Sequence, residues 1–279
     1  MIPPRLTWLL PDPIDPPPTL AAFSPPVATL LARRGVRTDA EAAHFLNAGV
    51  LDLPPVSLMT DADLALDRID RAVTAHEQMA IWGDYDADGM TAVAVWVLAL
   101  RRLGVEADRY VPSRLAEGYG LSGEGLRSLA ERGVRLVVTC DCGVGNVAEV
   151  ALARELGMDV VVTDHHVPPA VLPDAVAVVD PHRPDCRYPN PDLTGAGLAY
   201  RLANELLARH GTSAPDLAAL AAMGAIADVA PMTGESRAIV RLGLAELATT
   251  THPGLRGLVA RAAEDPTHPT ARDVGFGIV

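Results

Sequence analysis

Short apolar runs alternate with helix-length segments through the middle of this chain, and that alternation limits the fold more than any other feature. Residues 79–83, 106–111, 136–139, 159–163 and 176–179 read as strands, the third of them rich in β-branched residues. Between them, residues 90–103 read as a helix closed by Gly104 and residues 122–132 as one closed by Gly133. Asn146 with Glu149 caps a further helix that ends at Gly157. Strands and helices joined this closely predict an α/β fold, a mainly parallel sheet flanked by helices. From Gly195 onward the chain is rich in alanine and leucine and reads as a helical C-terminal portion. Upstream, the segment to about Pro18 is proline-rich and extended, tied to the body only by Trp8, Leu9 and Leu10. Two short helices follow, the second opened by Thr38 with Glu41 three residues on, a capping-box spacing. Thr60 to Asp63 starts a longer helix that ends near His76.

Acidic residues gather where these strands end. Asp84, Asp86 and Asp88 alternate in Asp84-Tyr85-Asp86-Ala87-Asp88-Gly89, directly after the first strand. In an extended segment, residues two apart point to the same side, so three anions would share one small volume. Like charges that close need compensation, and divalent cations are the usual source. Asp141 ends the third strand shortly before Gly143, whose small size permits close backbone approach. Thr163-Asp164-His165-His166 ends the fourth. In open α/β sheets, ligands bind at this carboxyl edge. A lone histidine is more often structural, but two adjacent ones behind an aspartate suit metal ligation, because the carboxylate can fix an imidazole's tautomer. Asp228 ends the apolar helix Gly224-Ala225-Ile226-Ala227-Asp228, where an unpaired buried carboxylate would be costly, so it is expected to meet a cation. Asp61, Asp63, Asp67 and Asp70 read as a solvated helix face. The clusters together point to a metal-dependent hydrolase.

Two rival readings of the aspartate run fail. An EF-hand loop needs a glutamate at its twelfth position and a helix leading in, whereas here that position is Val95 and the preceding run is strand-like. The Asp-x-Asp-Gly-Thr nucleophile motif of a phosphatase family is broken by Met90, and its mechanism leaves His165 and His166 idle. Cys140 and Cys142 flank Asp141, but no second pair completes a zinc site and Cys186 stands alone. The three thiols read as buried and reduced, and the compartment as cytoplasmic. No run approaches the ~20 apolar residues that span a bilayer, and the N-terminus lacks a signal-peptide layout. The net charge of −12 argues against a surface that coats nucleic acid generically. It leaves nucleic acid open as a substrate, since bound metals would offset a local carboxylate cluster.

Read in order, several segments resemble the DHH phosphoesterase superfamily, whose name describes the triplet Asp164-His165-His166. They are Gly83-Asp84-Tyr85-Asp86-Ala87-Asp88-Gly89, Tyr110-Val111-Pro112-Ser113-Arg114 with Glu117-Gly118-Tyr119-Gly120, and Asp141-Cys142-Gly143. Val179-Asp180-Pro181-His182, Gly195-Ala196-Gly197 and Ala227-Asp228-Val229-Ala230-Pro231-Met232 continue the series. The resemblance runs from about Pro18 onward and lies nearest to the bacterial single-strand-specific 5′→3′ exonucleases of that superfamily. It implies an N-terminal extended and helical segment over 1–45, a DHH catalytic domain over 46–235 and a helical segment over 236–279. That last segment would lead to a second, smaller domain that this chain does not include. The resemblance also implies two Mn²⁺ or Mg²⁺ ions held by Asp84, Asp86, Asp88, Asp141, His165, His166 and Asp228, with Asp141 bridging and Asp164 supporting a neighbouring ligand. Arg109 and Arg114 are the candidate phosphate contacts, and Tyr119 a candidate platform for a base. The implied activity is release of 5′-mononucleotides from single-stranded DNA in repair and recombination. The implied partners are single-stranded DNA, a single-strand-binding protein and a helicase, with a monomeric chain and no membrane. Two other classes within the superfamily stay open: small-substrate hydrolases acting on pyrophosphate, cyclic dinucleotides or short oligonucleotides, and replication scaffolds that have lost metal ligands. The full ligand set here weighs against the scaffold.

Overall fold

The apolar alternation resolves, in a computed structural model, into a five-stranded parallel sheet of order β2-β1-β3-β4-β5. Residues 9–46 and 53–279 are described. The strands are β1 (Met79–Gly83), β2 (Asp108–Tyr110), β3 (Leu136–Cys140), β4 (Asp159–Thr163) and β5 (Ala177–Val179). β2 is shorter than the expected 106–111, because Val105 and Ala107 turn into the core ahead of it while Val111 is already solvent-exposed. By internal contacts the chain divides into two units, Met1–Val50 and Leu51–Val279.

The first unit holds α1 (Pro25–Arg33) and α2 (Asp39–Leu46). Two prolines open α1, where a missing N–H costs nothing. Thr38 and Glu41 form the expected capping box, with Glu41 N donating to Thr38 Oγ1 and Thr38 N donating to Glu41 Oε2, both at 3.1 Å. Leu20, Leu31, Val36 and Ala42 make its small core. Leu9 and Leu10 are 92% and 80% exposed, so neither anchors the proline-rich segment as the sequence suggested; Trp8 lies outside the described residues.

In the second unit, α3 (Ala62–Ala75) precedes β1, and α4 (Ala87–Arg102), α5 (Gly123–Glu131) and α6 (Val147–Glu155) connect successive strands. Strand alternation sorts the side chains into two cores. Met79, Ile81, Leu136, Val138 and Val161 face α3 and α4, with α7 (Gly195–Arg209) and α8 (Ala218–Ala227) completing that layer. Ala80, Trp82, Val137, Val160 and Val162 face α5 and α6. Cys140 belongs to the first core and Cys142 to the second, so the two sulfurs cannot share an ion. α8 is buried nearly all round, as its alanine-rich sequence requires. α9 (Gly234–Thr249), α10 (Pro253–Ala262), a short turn α11 (Ala271–Asp273) and a last helical segment Val274–Ile278 complete the chain. No described helix is long and apolar enough to cross a membrane.

Two local readings need correction. Asn146 does not cap α6 through its side chain; its Oδ1 accepts from Leu121 N at 3.2 Å, while its Nδ2 donates to Glu149. The acidic face of α3 is ion-paired as well as solvated: Asp61 meets Arg183, Asp63 and Asp67 meet Arg209, and Asp70 meets His210.

Candidate metal centre

β1 leaves the sheet's centre towards β2 on one side, and the chain then returns to β3 on the other. The carboxyl ends of β1 and β3 therefore flank the crevice where a sheet of this order binds ligands. Aspartates stand in register there. Gly83 pairs with Cys140 and Thr163 with Val179, and the next residue after each of these four is an aspartate: Asp84, Asp141, Asp164 and Asp180. Their backbones carry the ladder one step further, Asp84 N donating to Cys140 O, Asp141 N to Thr163 O and Asp164 N to Val179 O.

Asp86 and Asp88 join this row by a different route from the one the sequence suggested. α4 starts at Ala87, three residues earlier than the expected 90, so the alternate aspartates do not lie on one extended face. Asp84 ends the strand, Asp86 is the N-cap with Oδ1 accepting from Gly89 N at 2.9 Å, and Asp88 lies in the first turn. A backbone turn brings the three carboxylates together. Gly89 is what allows it, since a Cβ there would sit 2.6 Å from Asp84 N. Asp141 is held by a left-handed turn (φ 63°), an unusual state for a residue with a side chain. Gly143 follows at φ +112°, where a Cβ would meet Thr139 Oγ1 at 2.8 Å.

Three overlapping sets of ligand atoms result, each within 4.8 Å: Asp84 with Asp86 and Asp141, Asp88 with His165 and Asp228, and Asp141 with His165 and His166. Asp141 and His165 each belong to two sets, so the groups form one continuous centre. Asp228 reaches it from the C-cap of α8, where it is exposed; the expectation that it is buried is wrong. Solvent offsets the unfavourable placement of an anion at a helix C-terminus.

Charge is the dominant feature of this centre. Asp84, Asp88 and Asp141 are at most 5% exposed. Asp88 is held by two backbone donors at the N-terminus of α7, Gly195 N at 2.6 Å and Ala196 N at 3.0 Å. Burial still raises Asp88, Asp84 and Asp141 above the ordinary carboxylate range. His165 Nε2 lies 2.8 Å from Asp141 Oδ1 and 3.7 Å from Asp88 Oδ2. Burial opposes a charge on this ring, but the carboxylates outweigh it and lift His165 to about 9.

Asp164 belongs to the support of the site. Its carboxylate accepts from Val144 N and from the backbone N–H groups of His165 and His166, and it lies 2.8 Å from His166 Nδ1. Burial works to raise it, yet His166 and Val144 N–H outweigh that and hold it low. A proton on His166 Nδ1 shared with Asp164 leaves Nε2 free to meet a metal or a phosphate.

The remaining candidates separate. Tyr119 directs its hydroxyl to the Asp141 carbonyl at 3.2 Å, 3.1 Å from His166 Nδ1, so part of the ring is committed to the site wall. The Arg114 guanidinium lies 5.3 Å from the centre of the Tyr85 ring, between Asp84 and Asp86 in sequence. Arg109 is not brought to the centre; it borders a groove lined by Met90, Val93, Val97 and Leu258. Asp180 and His182 had no role in the sequence reading. Asp180 is fully buried, its Oδ1 accepts from His182 N, and Oδ2 meets no donor among the described residues. Its position, directly after a strand like three other aspartates, was the available signal.

Residues 78–225 match the DHH family, N-terminal domain. The chain is 41% identical over 254 residues to the single-stranded-DNA-specific exonuclease RecJ of Bacillus subtilis, covering 91% of this chain and 32% of that protein. It superimposes on RecJ from Thermus thermophilus in complex with Mn²⁺ with a TM-score of 0.78 at 32% identity, over 93% of this chain and 37% of the other. The Mg²⁺ complex of that Thermus protein gives 0.65 at 28% identity, over 93% and 33%. The chain spans 32% to 46% of the length of the first curated relatives it matches.

Proposed function

This chain belongs to the DHH family, and on that premise we propose that it is the catalytic part of a metal-dependent exonuclease that hydrolyses single-stranded DNA from the 5′ end. The observation that carries the reading is the continuous centre of carboxylates and imidazoles at the β1/β3 crevice. A replication scaffold would have no use for so costly a concentration of buried anions.

The donor set fits two divalent ions. Asp84, Asp86 and Asp141 would hold one, and Asp88, His165 and Asp228 the other, with Asp141 adjacent to both. Oxygen-rich ligation with an imidazole suits Mn²⁺ and Mg²⁺. Bound there, the ions supply Lewis-acid charge at the scissile phosphate and activate the attacking water. The protein's own residues do the rest. Asp141, 2.8 Å from His165 Nε2, and Asp164, itself fixed by three backbone donors and 2.8 Å from His166 Nδ1, keep the two imidazoles from rotating away. His166 can donate to a phosphate oxygen through Nε2 while Asp164 balances its charge. Arg114, set over the Tyr85 ring beside the aspartate run, is the cation offered to a phosphate of the strand. A single-strand-binding protein and a helicase are the proposed partners, and a monomer the proposed state.

The test is hydrolysis of a single-stranded oligonucleotide labelled at either end, with Mn²⁺. The expected result is mononucleotide release beginning at the 5′ end, with the matching duplex left intact. Asp86→Ala and Asp141→Ala should each abolish it while folding normally. If both variants kept more than about a tenth of the activity, the two-metal assignment would fail, since such centres lose far more when a ligand goes.

A further inference from the structure

Glu117 lies in the loop between β2 and α5 and belongs to none of the three ligand sets of the metal centre. It stands three residues from Arg114, and both of its carboxylate oxygens are engaged within the protein. Oε1 accepts from Ser113 N at 2.9 Å, and Oε2 accepts from Ser122 Oγ at 3.3 Å and from the Tyr110 hydroxyl. One side chain thereby joins the end of β2, the start of the loop and the N-cap of α5. Its neighbours extend that hold into the core. The Tyr110 ring stacks on buried Trp82 with centroids 3.9 Å apart, and Trp82 Nε1 donates to Gly120 O at 3.2 Å.

Without these bonds the loop has little to define it. Residues 113–117 are exposed, its internal bonds all converge on the Ser113 carbonyl, and Gly118 and Gly120 adopt positive φ. Yet it delivers two groups accurately: Arg114 beside Tyr85, and the Tyr119 hydroxyl on Asp141 O and His166 Nδ1. We propose that Glu117 is a positioning residue that staples this loop so that Arg114 and Tyr119 meet the incoming strand. The proposal rests on the exonuclease reading above. Hydrogen bonds, chiefly from Ser113 N–H, hold the Glu117 carboxyl below its ordinary range, consistent with a permanent acceptor.

Three measurements test it on this chain, with Glu117→Ala, Glu117→Gln and Tyr119→Phe. In Mn²⁺-dependent digestion of a single-stranded oligonucleotide, Glu117→Ala should raise KM about tenfold or more, with kcat within about threefold, since it loosens positioning and leaves the reacting groups in place. Glu117→Gln, which can still accept from Ser113 N, should recover most of the loss. The double variant Glu117→Ala with Tyr119→Phe should lose less than the product of the single effects. The rise in melting temperature on adding Mn²⁺ should be the same in Glu117→Ala as in the parent. Amide exchange across residues 112–121 should accelerate in Glu117→Ala and stay slow in Glu117→Gln. A wild-type KM in Glu117→Ala, or exchange that does not change, overturns the staple; so does an equal fall in kcat and in the Mn²⁺ response, which would mark general damage to the fold. A parent chain inert on single-stranded DNA would overturn the exonuclease reading, and the exchange experiment would still decide whether Glu117 holds the loop.

Discussion

Asp141 and His165 share a proton-rich centre in the metal-free protein, and the sign of their shifts sets how stability follows pH. Asp141 is raised from 3.8 to about 8 by burial, and His165 from 6.5 to about 9 by the carboxylates around it. In both, the fold prefers the protonated form. The two groups share one hydrogen bond and titrate as a pair, so the stability their protons contribute is complete at low pH and lost as pH rises through about 8 to 9. Metal-free protein should therefore melt progressively lower from about pH 6.5 to 9, and Mn²⁺, which replaces the protons, should raise the melting temperature most at the alkaline end. Thermal scans in chelator and in Mn²⁺ at several pH values decide this; metal-free stability that climbs towards pH 9 would contradict it. Asp180 gives a second residue-scale test. Burial raises it to about 7, and Oδ2 finds no donor among the described residues. Its ionisation costs stability between 3.8 and about 7, so Asp180→Asn should be stabilising by an amount that grows over that window and is flat above it. Denaturant unfolding in chelator at pH 5 and pH 8 would show whether the two values differ.

At the scale of elements, small residues set how closely helices approach the carboxylates. Gly224 brings α8 against Asp88: a Cβ there would lie 2.2 Å from Asp88 Oδ1, 2.6 Å from the Ala196 Cβ and 2.8 Å from Thr91 Oγ1. Gly195 does the same for α7, whose added Cβ would fall 2.5 Å from that of Asp141. Gly224→Ala should cost about 1–3 kcal/mol, the usual range for overpacking, and should also displace Asp88 and blunt the Mn²⁺ response. Gly145→Ala is the control, because nothing lies within 4 Å of its added Cβ. It should shift stability by less than about 0.5 kcal/mol. Melting curves of both variants with and without Mn²⁺ provide the comparison, and a full Mn²⁺ response in Gly224→Ala would show that α8 can retreat without moving Asp88.

The whole molecule carries 23 basic against 35 acidic residues, and every basic one is arginine. Several of those arginines are already committed to ion pairs, among them Arg68 with Glu77 and Asp159, Arg102 with Asp216, and Arg209 with Asp63 and Asp67. Tracking a long strand requires a positive groove, and phosphate contacts weaken steeply with salt. This chain should therefore bind metal well but release mononucleotides distributively, dissociating between cuts at moderate salt. Adding a large excess of unlabelled single-stranded DNA after the reaction starts tests this. Continued digestion of the labelled strand would mean that these 279 residues already contain a closed DNA path.

Some of this was legible in the residues themselves. A short apolar run stops where its first charged residue begins, which is why Asp84, Asp141 and Asp164 could be set at strand ends, and why the α/β class followed from alternation alone. The Thr38–Glu41 cap was equally local, both partners lying within one turn. Other features depended on distances between segments far apart in the chain. Asp228 reaches Asp88 only through the packing of α8 on α4, and it arrives exposed. Arg109 and Tyr110 are adjacent in sequence but face opposite sides of β2, which sends one to an apolar groove and the other to the Trp82 stack. Periodicity encodes which element forms and which face it buries. Which carboxylates then share a volume, and which loop is stapled over them, was decided only when the sheet and its helices packed.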